Sequence, residues 1–150
     1  MQDYKMSVEE NKEIVRGYFS EVVDKFNIEL LGEYYTDDCI IHRPEVAEPI
    51  IGIENFKAGL ARVIDSYSSI TTTIHDLFGA GDRVSCRLSH LAVHRDNWKS
   101  RIGYHEVAGK TVGWSAIANF RVEDNKIAEE WVCRDELGML IELGVIHPSK

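Results

Sequence analysis

The chain has 150 residues, with 17 Lys and Arg against 25 Asp and Glu, and a formal net charge of −8 at pH 7. This length predicts a single domain with a sizeable core, spanning residues 1–150 with a flexible tail over about residues 1–6. The acidic balance argues against a nucleic-acid backbone or an anionic membrane surface as a partner, because both are recognised through basic patches.

The cysteines, the absence of long apolar runs and the N-terminal residues together predict a cytoplasmic protein. Cys39, Cys86 and Cys133 are an odd number of cysteines at wide spacing, which favours free thiols over a disulfide framework or a CxxC metal site. No apolar run approaches the roughly 20 residues that cross a membrane. The N-terminal residues lack the apolar core of a signal peptide, so we expect no membrane partner.

The first half of the chain is predicted to be mostly helical. Ser7 and Glu10 have the spacing of a capping box, and apolar residues then recur at helical spacing for roughly 20 residues. A second, short helix is predicted to end near Tyr35. A short strand at 39–42 and a third helix over about residues 53–67 follow.

The second half changes to the period of strands. Strands are predicted over residues 70–78, 83–94 and 111–122 and from residue 126 onward, with turns at 79–82 and 123–125. Residues 95–109 are polar and predict a long loop or a frayed strand pair. Helices followed by consecutive antiparallel strands predict an α+β domain, in which the helices cover the concave face of a curled sheet.

The last strand carries the first candidate for chemistry, Asp135. Ile127, Glu129, Trp131 and Cys133 share its parity, so an unbroken strand would point all five side chains to one face. A carboxyl group at the edge of an apolar surface has its pKa raised by desolvation, which suits a general acid or base. The alternative is that Asp135 caps the following helix, and spacing alone favours capping.

The histidines provide further candidates. His90 and His94 share the parity of the apolar residues in the strand at 83–94, so both are predicted to face inward. Four residues of extended strand span roughly 13 Å, whereas each zinc ligand lies about 2 Å from the ion. The two imidazoles therefore cannot share one metal ion, and no metal site is predicted.

Several segments, taken in order, carry a resemblance to a known family. They are YYTDD at 34–38, His42 and Gly52, GAGDRV at 79–84, GKTV at 109–112, FRVEDNKI at 120–127, then Glu129, Trp131 and Asp135, and the closing Leu143 and Gly144. Their order and spacing resemble those of the SnoaL-like polyketide cyclases, which belong to the nuclear-transport-factor-2-like superfamily. This resemblance covers nearly the whole domain and implies an α+β cone, with three N-terminal helices packed on a curved, mainly antiparallel sheet.

The resemblance also implies an activity. In these cyclases the aspartate that matches Asp135 acts as acid and base in an intramolecular aldol closure of a hydrophobic carbonyl compound. No metal or cofactor is needed. His94 fits the family's histidine as the second catalytic group, with His90 and His42 as alternatives. A homodimer is expected, and so are ligand contacts from a set of candidate lining residues: Trp131, Trp114, Tyr35, His42, His90 and Asn119.

Two alternatives to a cyclase remain. The first is a non-catalytic module of the same fold that binds a small ligand or dimerises, because this superfamily hosts both enzymes and binding modules. The second is an enzyme of the epoxide-hydrolase branch, because the adjacent Arg134 and Asp135 resemble part of the Asp–Arg–Asp arrangement of that branch. Neighbouring strand residues point to opposite faces, so Arg134 is expected to face away from Asp135. This expectation argues against the epoxide-hydrolase interpretation.

Overall fold

A computed structural model describes residues 6–150. The predicted flexible tail therefore lies, except for Met6, outside the described residues. No helix in the described part of the chain has both the length and the apolar character needed to span a membrane.

Helices form the first layer of the domain. The capping box predicted at Ser7 and Glu10 is present and begins α1 (Val8–Gly17), which continues directly into a π-helical segment (Tyr18–Val23). The remaining helical elements are a 3₁₀ turn (Ile28–Leu30), α2 (Leu31–Tyr34), α3 (Ile53–Asp65) and α4 (Glu136–Glu142). The first three helical regions match the predicted positions, and α4 follows the last strand.

Strands form the second layer. They are β1 (Tyr35–His42), β2 (Ile50–Ile51), β3 (Tyr67–Ala80), β4 (Arg83–His94), β5 (Trp98–Ser100), β6 (Gly103–His105), β7 (Thr111–Glu123) and β8 (Lys126–Arg134). Six of them form a sheet in the order β2-β1-β8-β7-β4-β3, in which β1 runs parallel to β8 and the other pairs are antiparallel. The polar segment 95–109 contains the separate hairpin β5–β6, which is the frayed strand pair allowed by the sequence.

The core lies between the helices and the concave face of the sheet. In β4 and β7 every second residue from Val84 and from Val112 points toward the helices, and most of these side chains are buried. This confirms the predicted alternation in both strands. Alternation places one row of side chains in the core and the other row on the outer face of the sheet.

The prediction that Ile127 shares one face of β8 with Glu129, Trp131 and Cys133 is wrong. Val122 pairs with Ile127 but Arg121 pairs with Glu129, so Ala128 is an extra residue in the ladder, a β-bulge. Ile127 and Ala128 are both buried, and the parity of the strand is reversed from Glu129 onward. A one-residue shift moves every later side chain to the opposite face.

Candidate functional site

An inner cavity of about 90 Å³ lies between the helices and the concave face of the sheet. Its apolar wall comes from the π-helical segment, α3 and the central strands, and includes Phe19, Ile64, Leu88, Trp114 and Val132. Five polar or charged side chains also line it: Tyr18, Arg43, His90, Glu130 and Arg134. A few polar groups converging in an apolar concavity are typical of a ligand site.

Glu130 is the buried carboxyl group of this cavity. The bulge at Ala128 turns it inward, and its side chain is only 4% exposed. Tyr35 Oη donates a hydrogen bond of 2.6 Å to Glu130 Oε1, and Arg43 Nη2 lies 3.8 Å from Oε2. Burial raises the pKa of Glu130, while Arg43 and the Tyr35 hydroxyl oppose the rise. A carboxyl group in this setting is a strong candidate for acid/base chemistry.

Two arginines provide positive charge in the same wall. Arg43 follows β1 and Arg134 ends β8, and both line the cavity. Arg134 is also an ion-pair partner of Glu45, at 3.4 Å, and of Glu136, at 3.5 Å. Arg43 Nε is buried without a hydrogen-bond acceptor among the described residues, whereas Arg134 Nε is the atom that faces Glu45 Oε1. Unsatisfied guanidinium donors are suited to stabilising negative charge on a ligand oxygen.

His90, on β4, also lines the cavity. Its ring packs 5.1 Å from that of Trp114 and 6.0 Å from that of Phe19, measured between centroids. Nδ1 is 2.9 Å from Thr72 Oγ1 on the neighbouring strand. Burial, helped by the charges of Arg134 and Arg43, lowers the pKa of His90 to about 4. The imidazole is therefore neutral at pH 7.

Four of the six predicted lining residues lie outside this cavity, three of them on the other face of the sheet. Trp131 is on the outer face of the sheet because the bulge reverses the parity of β8, and its ladder partners Asn119 on β7 and His42 on β1 lie on the same face. There the indole of Trp131 stacks on His42, with centroids 5.2 Å apart, and Arg83 packs over the same indole at 4.9 Å. His42 Nε2 also bonds to Glu129 Oε2 at 2.7 Å. The structure brings Trp114 and His90 to the inner cavity and Tyr35 to the carboxyl group behind it.

Asp135 lies at the end of β8 and is exposed. Its Oδ1 accepts a hydrogen bond of 2.9 Å from the Gly138 backbone N–H, so it is the N-cap of α4. Its own N–H donates to the Ser115 carbonyl, and it borders a shallow groove that also touches Cys133 on the outer face. The capping alternative is thus present in the structure, and a part for Asp135 in chemistry stays a prediction.

His94 is buried but does not line the cavity. Only 1% of it is exposed, and neither ring nitrogen has a hydrogen-bond partner among the described residues. Its ring lies 4.7 Å from that of Tyr67 and 6.1 Å from that of Trp98. Burial lowers the pKa of His94. Its part as the second catalytic group stays a prediction.

Sequence reasoning missed Glu130, Arg43 and Arg134 as cavity residues. The side chains of β8 alternate in two rows, and the row that contains Ile127 and Trp131 is the more apolar one. Its apolar character predicts that this row faces the core. The two residues in the hairpin turn, Asp124 and Asn125, both have positive φ, which fixes the pairing of Glu123 with Lys126 but does not predict the bulge that follows. The described residues contain no group of three or more His, Cys, Asp or Glu side chains arranged to hold a metal ion.

Comparisons with known proteins give a consistent picture. The family model described as SnoaL-like polyketide cyclase matches residues 13–143. A search of curated proteins finds no match. Among solved structures, IdmH from Streptomyces antibioticus, a candidate polyketide cyclase, is 22% identical, with a TM-score of 0.77 over 89% of this chain and 98% of that one.

Two further structures share the fold. A candidate SnoaL-like polyketide cyclase from Jannaschia sp. CCS1 is 16% identical, with a TM-score of 0.80 over 99% of this chain and all of that one (100%). An LEH-like epoxide hydrolase from M. tuberculosis is 14% identical, with a TM-score of 0.71 over 92% of each chain. At these identities the likeness establishes the α+β cone, and chemistry has to be argued from the site.

Proposed function

Because the chain belongs to the SnoaL-like polyketide cyclase family, we propose that it is a cofactor-independent enzyme that closes a ring in a hydrophobic carbonyl compound by an intramolecular aldol reaction. The observation that carries this proposal is the buried Glu130 carboxyl group, whose pKa is raised by burial within an apolar cavity. A base of raised pKa removes a carbon-bound proton more readily than an ordinary carboxylate.

The proposed reaction uses only groups of this chain. Ionised Glu130 takes a proton from a carbon that lies between two carbonyls, and the enolate carbon attacks another carbonyl of the same molecule. The new carbon–carbon bond leaves negative charge on the attacked oxygen, which the guanidinium groups of Arg43 and Arg134 stabilise. Glu130 then returns its proton to that oxygen, so the product is an isomer of the substrate.

The size of the cavity limits what it holds. A volume of about 90 Å³ is well below the 300–1,000 Å³ of usual ligand pockets. We therefore expect the cavity to hold the reacting dicarbonyl part of a substrate, while a larger remainder extends past Val63, which is 40% exposed at its rim.

The test is proton exchange on a small β-keto ester, ethyl 2-methylacetoacetate, in D₂O, followed by proton NMR. The wild type should accelerate exchange of the hydrogen between the two carbonyls. Glu130→Gln should lose about 10²–10⁴-fold of this acceleration, as expected for loss of a positioned base. Glu129→Gln is the matched control, because this neighbouring carboxylate lies on the outer face, and it should retain the activity.

The same experiment decides between Glu130 and the residues that the resemblance singles out. If Asp135→Asn or His94→Gln abolishes exchange and Glu130→Gln does not, the assignment to Glu130 is wrong. If the folded wild type gives no exchange above the buffer rate, the proposed chemistry fails.

A binding or dimerisation module is the second candidate function, and the outer face of the sheet favours it. Phe78 and Ile117 are 63% and 56% exposed there and flank Trp131. A large exposed apolar patch typically marks an interaction surface. We expect this face to form a homodimer whether or not the inner cavity is catalytic.

A further inference from the structure

A chain of three side chains runs from the edge of the sheet to His90. Asp24 closes the π-helical segment, and its carboxylate meets β3, the edge strand of the sheet. Asp24 Oδ2 accepts a hydrogen bond of 3.0 Å from the Thr72 backbone N–H, and Oδ1 accepts one of 2.6 Å from the Thr72 hydroxyl. Thr72 Oγ1 is in turn 2.9 Å from His90 Nδ1.

The direction of these hydrogen bonds follows from counting protons. A carboxylate only accepts, so the single hydroxyl proton of Thr72 is donated to Asp24. The oxygen of Thr72 is then left as an acceptor, and His90 Nδ1 has to carry the proton between them. A neutral imidazole has one N–H group, and His90 is neutral because its pKa is lowered to about 4, mainly by burial. His90 Nε2 is consequently an unprotonated acceptor.

This acceptor is available to a ligand. The His90 ring lines the inner cavity, and Nε2 has no hydrogen-bond partner in residues 6–150. The rings of Trp114 and Phe19, with centroids 5.1 and 6.0 Å from that of His90, provide flat aromatic surfaces beside the imidazole in the cavity wall. An acceptor on the wall of an apolar cavity needs a donor from a ligand that fills the cavity, since a ligand that leaves it unpaired loses free energy.

We propose that Asp24 and Thr72 are positioning residues that hold His90 in its Nδ1-protonated tautomer, so that Nε2 selects ligands carrying a hydroxyl group on a flat, unsaturated ring. This inference rests on the proposed function only in taking the inner cavity as the ligand site.

The first test is the tautomer itself, read by nitrogen-15 NMR of the histidine side chains at neutral pH. His90 Nδ1 should show the shift of a protonated imidazole nitrogen, and Nε2 the shift of an unprotonated one. Thr72→Val should lose the preference for this tautomer, and Thr72→Ser should restore it. A wild-type His90 with its proton on Nε2, or an unchanged tautomer in Thr72→Val, would overturn the proposal.

The second test compares phenol with toluene, which have nearly the same shape and differ in the hydroxyl group. NMR titrations give the ratio of the toluene Kd to the phenol Kd for each variant. From wild type to Thr72→Val this ratio should fall about tenfold, the effect of one lost buried hydrogen bond. Thr73→Val, on the adjacent exposed position of β3, is the matched control and should leave the ratio unchanged.

An equal ratio in wild type and Thr72→Val would contradict the selection by His90. Neither test requires turnover, so they separate this inference from the proposed reaction. Loss of the Glu130 chemistry would leave the tautomer and the phenol preference standing, whereas a wrong tautomer would leave the exchange activity untouched.

Discussion

At the scale of single residues, the cavity shifts two titratable groups in opposite directions. Burial raises the pKa of Glu130 and lowers the pKa of His90, because in each case the apolar surroundings disfavour the charged form. Arg43 and Arg134 strengthen the shift of His90, while Arg43 opposes that of Glu130. Groups whose environments move their pKa values apart are often the acid/base residues of a site.

The shift of His90 predicts a pH dependence of stability. The unfolded chain binds the His90 proton near pH 6.5 and the folded chain only near pH 4, so between these values the folded state binds fewer protons. The free energy of unfolding should therefore rise with pH across this window, by up to about 3 kcal/mol from this residue. Urea unfolding at pH 4.5 and 6.5 measures it.

Other groups titrate in the same window, so the comparison is with His90→Gln. The wild type should gain more stability than this variant between the two pH values. His75→Gln, at an exposed outer position, is the control and should behave like the wild type. Identical pH dependence in wild type and His90→Gln would refute the lowered pKa of His90.

At the scale of elements, the sequence predicted where the strands lie along the chain better than which of their side chains face the core. The alternating pattern of β4 predicted both its bounds and which of its side chains, including that of His90, face the core. This worked because no bulge interrupts the pairing of β4 with β7. In β8 the extra residue Ala128 reverses the parity, so Glu130 faces inward where Trp131 was expected. Apolar periodicity does not reveal a bulge, since two adjacent buried residues, Ile127 and Ala128, fit either register.

The hairpin β5–β6 gives a prediction at this scale. Arg101 lies between its strands, and its Nε donates to Glu136 Oε1 at 3.1 Å while Nη1 donates to the Pro44 carbonyl at 3.4 Å. These contacts join the hairpin to α4 and to the segment after β1. Arg101→Ala should increase amide hydrogen exchange in residues 98–105 and change global stability by less than about 1 kcal/mol, because its side chain is half exposed.

The control for this prediction is Lys99→Ala, which removes a charged side chain from the same hairpin without breaking a hydrogen bond seen in the described residues. Faster exchange confined to the hairpin in Arg101→Ala alone would support the account. Equal exchange in both variants would show that Arg101 does not hold the hairpin.

At the scale of the whole molecule, the fold was predictable because several segments with family spacing agreed with the order of elements. The α+β cone and the family are established. The content of the cavity was not predictable to the same degree, since Arg43, His90, Glu130 and Arg134 come from four separate places: the loop after β1, β4, and two positions in β8. Their meeting depends on the curl of the sheet and on the bulge.

The outer face predicts association of two copies. Ile117 lies at its centre, in a groove with Trp131 and Cys133. Ile117→Asp should convert a dimer to a monomer in light scattering coupled to size-exclusion chromatography, because a buried unpaired charge is costly at an interface. Leu137→Asp, which changes an equally exposed apolar residue on α4, should leave the mass unchanged. A monomeric wild type would contradict the expectation.

The most direct measurement of the central claim is the titration of Glu130 by carboxyl carbon-13 NMR, alone and with ethyl 2-methylacetoacetate. The account predicts a pKa above the ordinary value of 4.5, a further rise in Tyr35→Phe, which lacks the donor to Oε1, and a change when the ester binds. A pKa at or below 4.5 that does not respond to either change would mean that Glu130 is not a desolvated acid/base group, and the proposed chemistry would then have no base in the inner cavity.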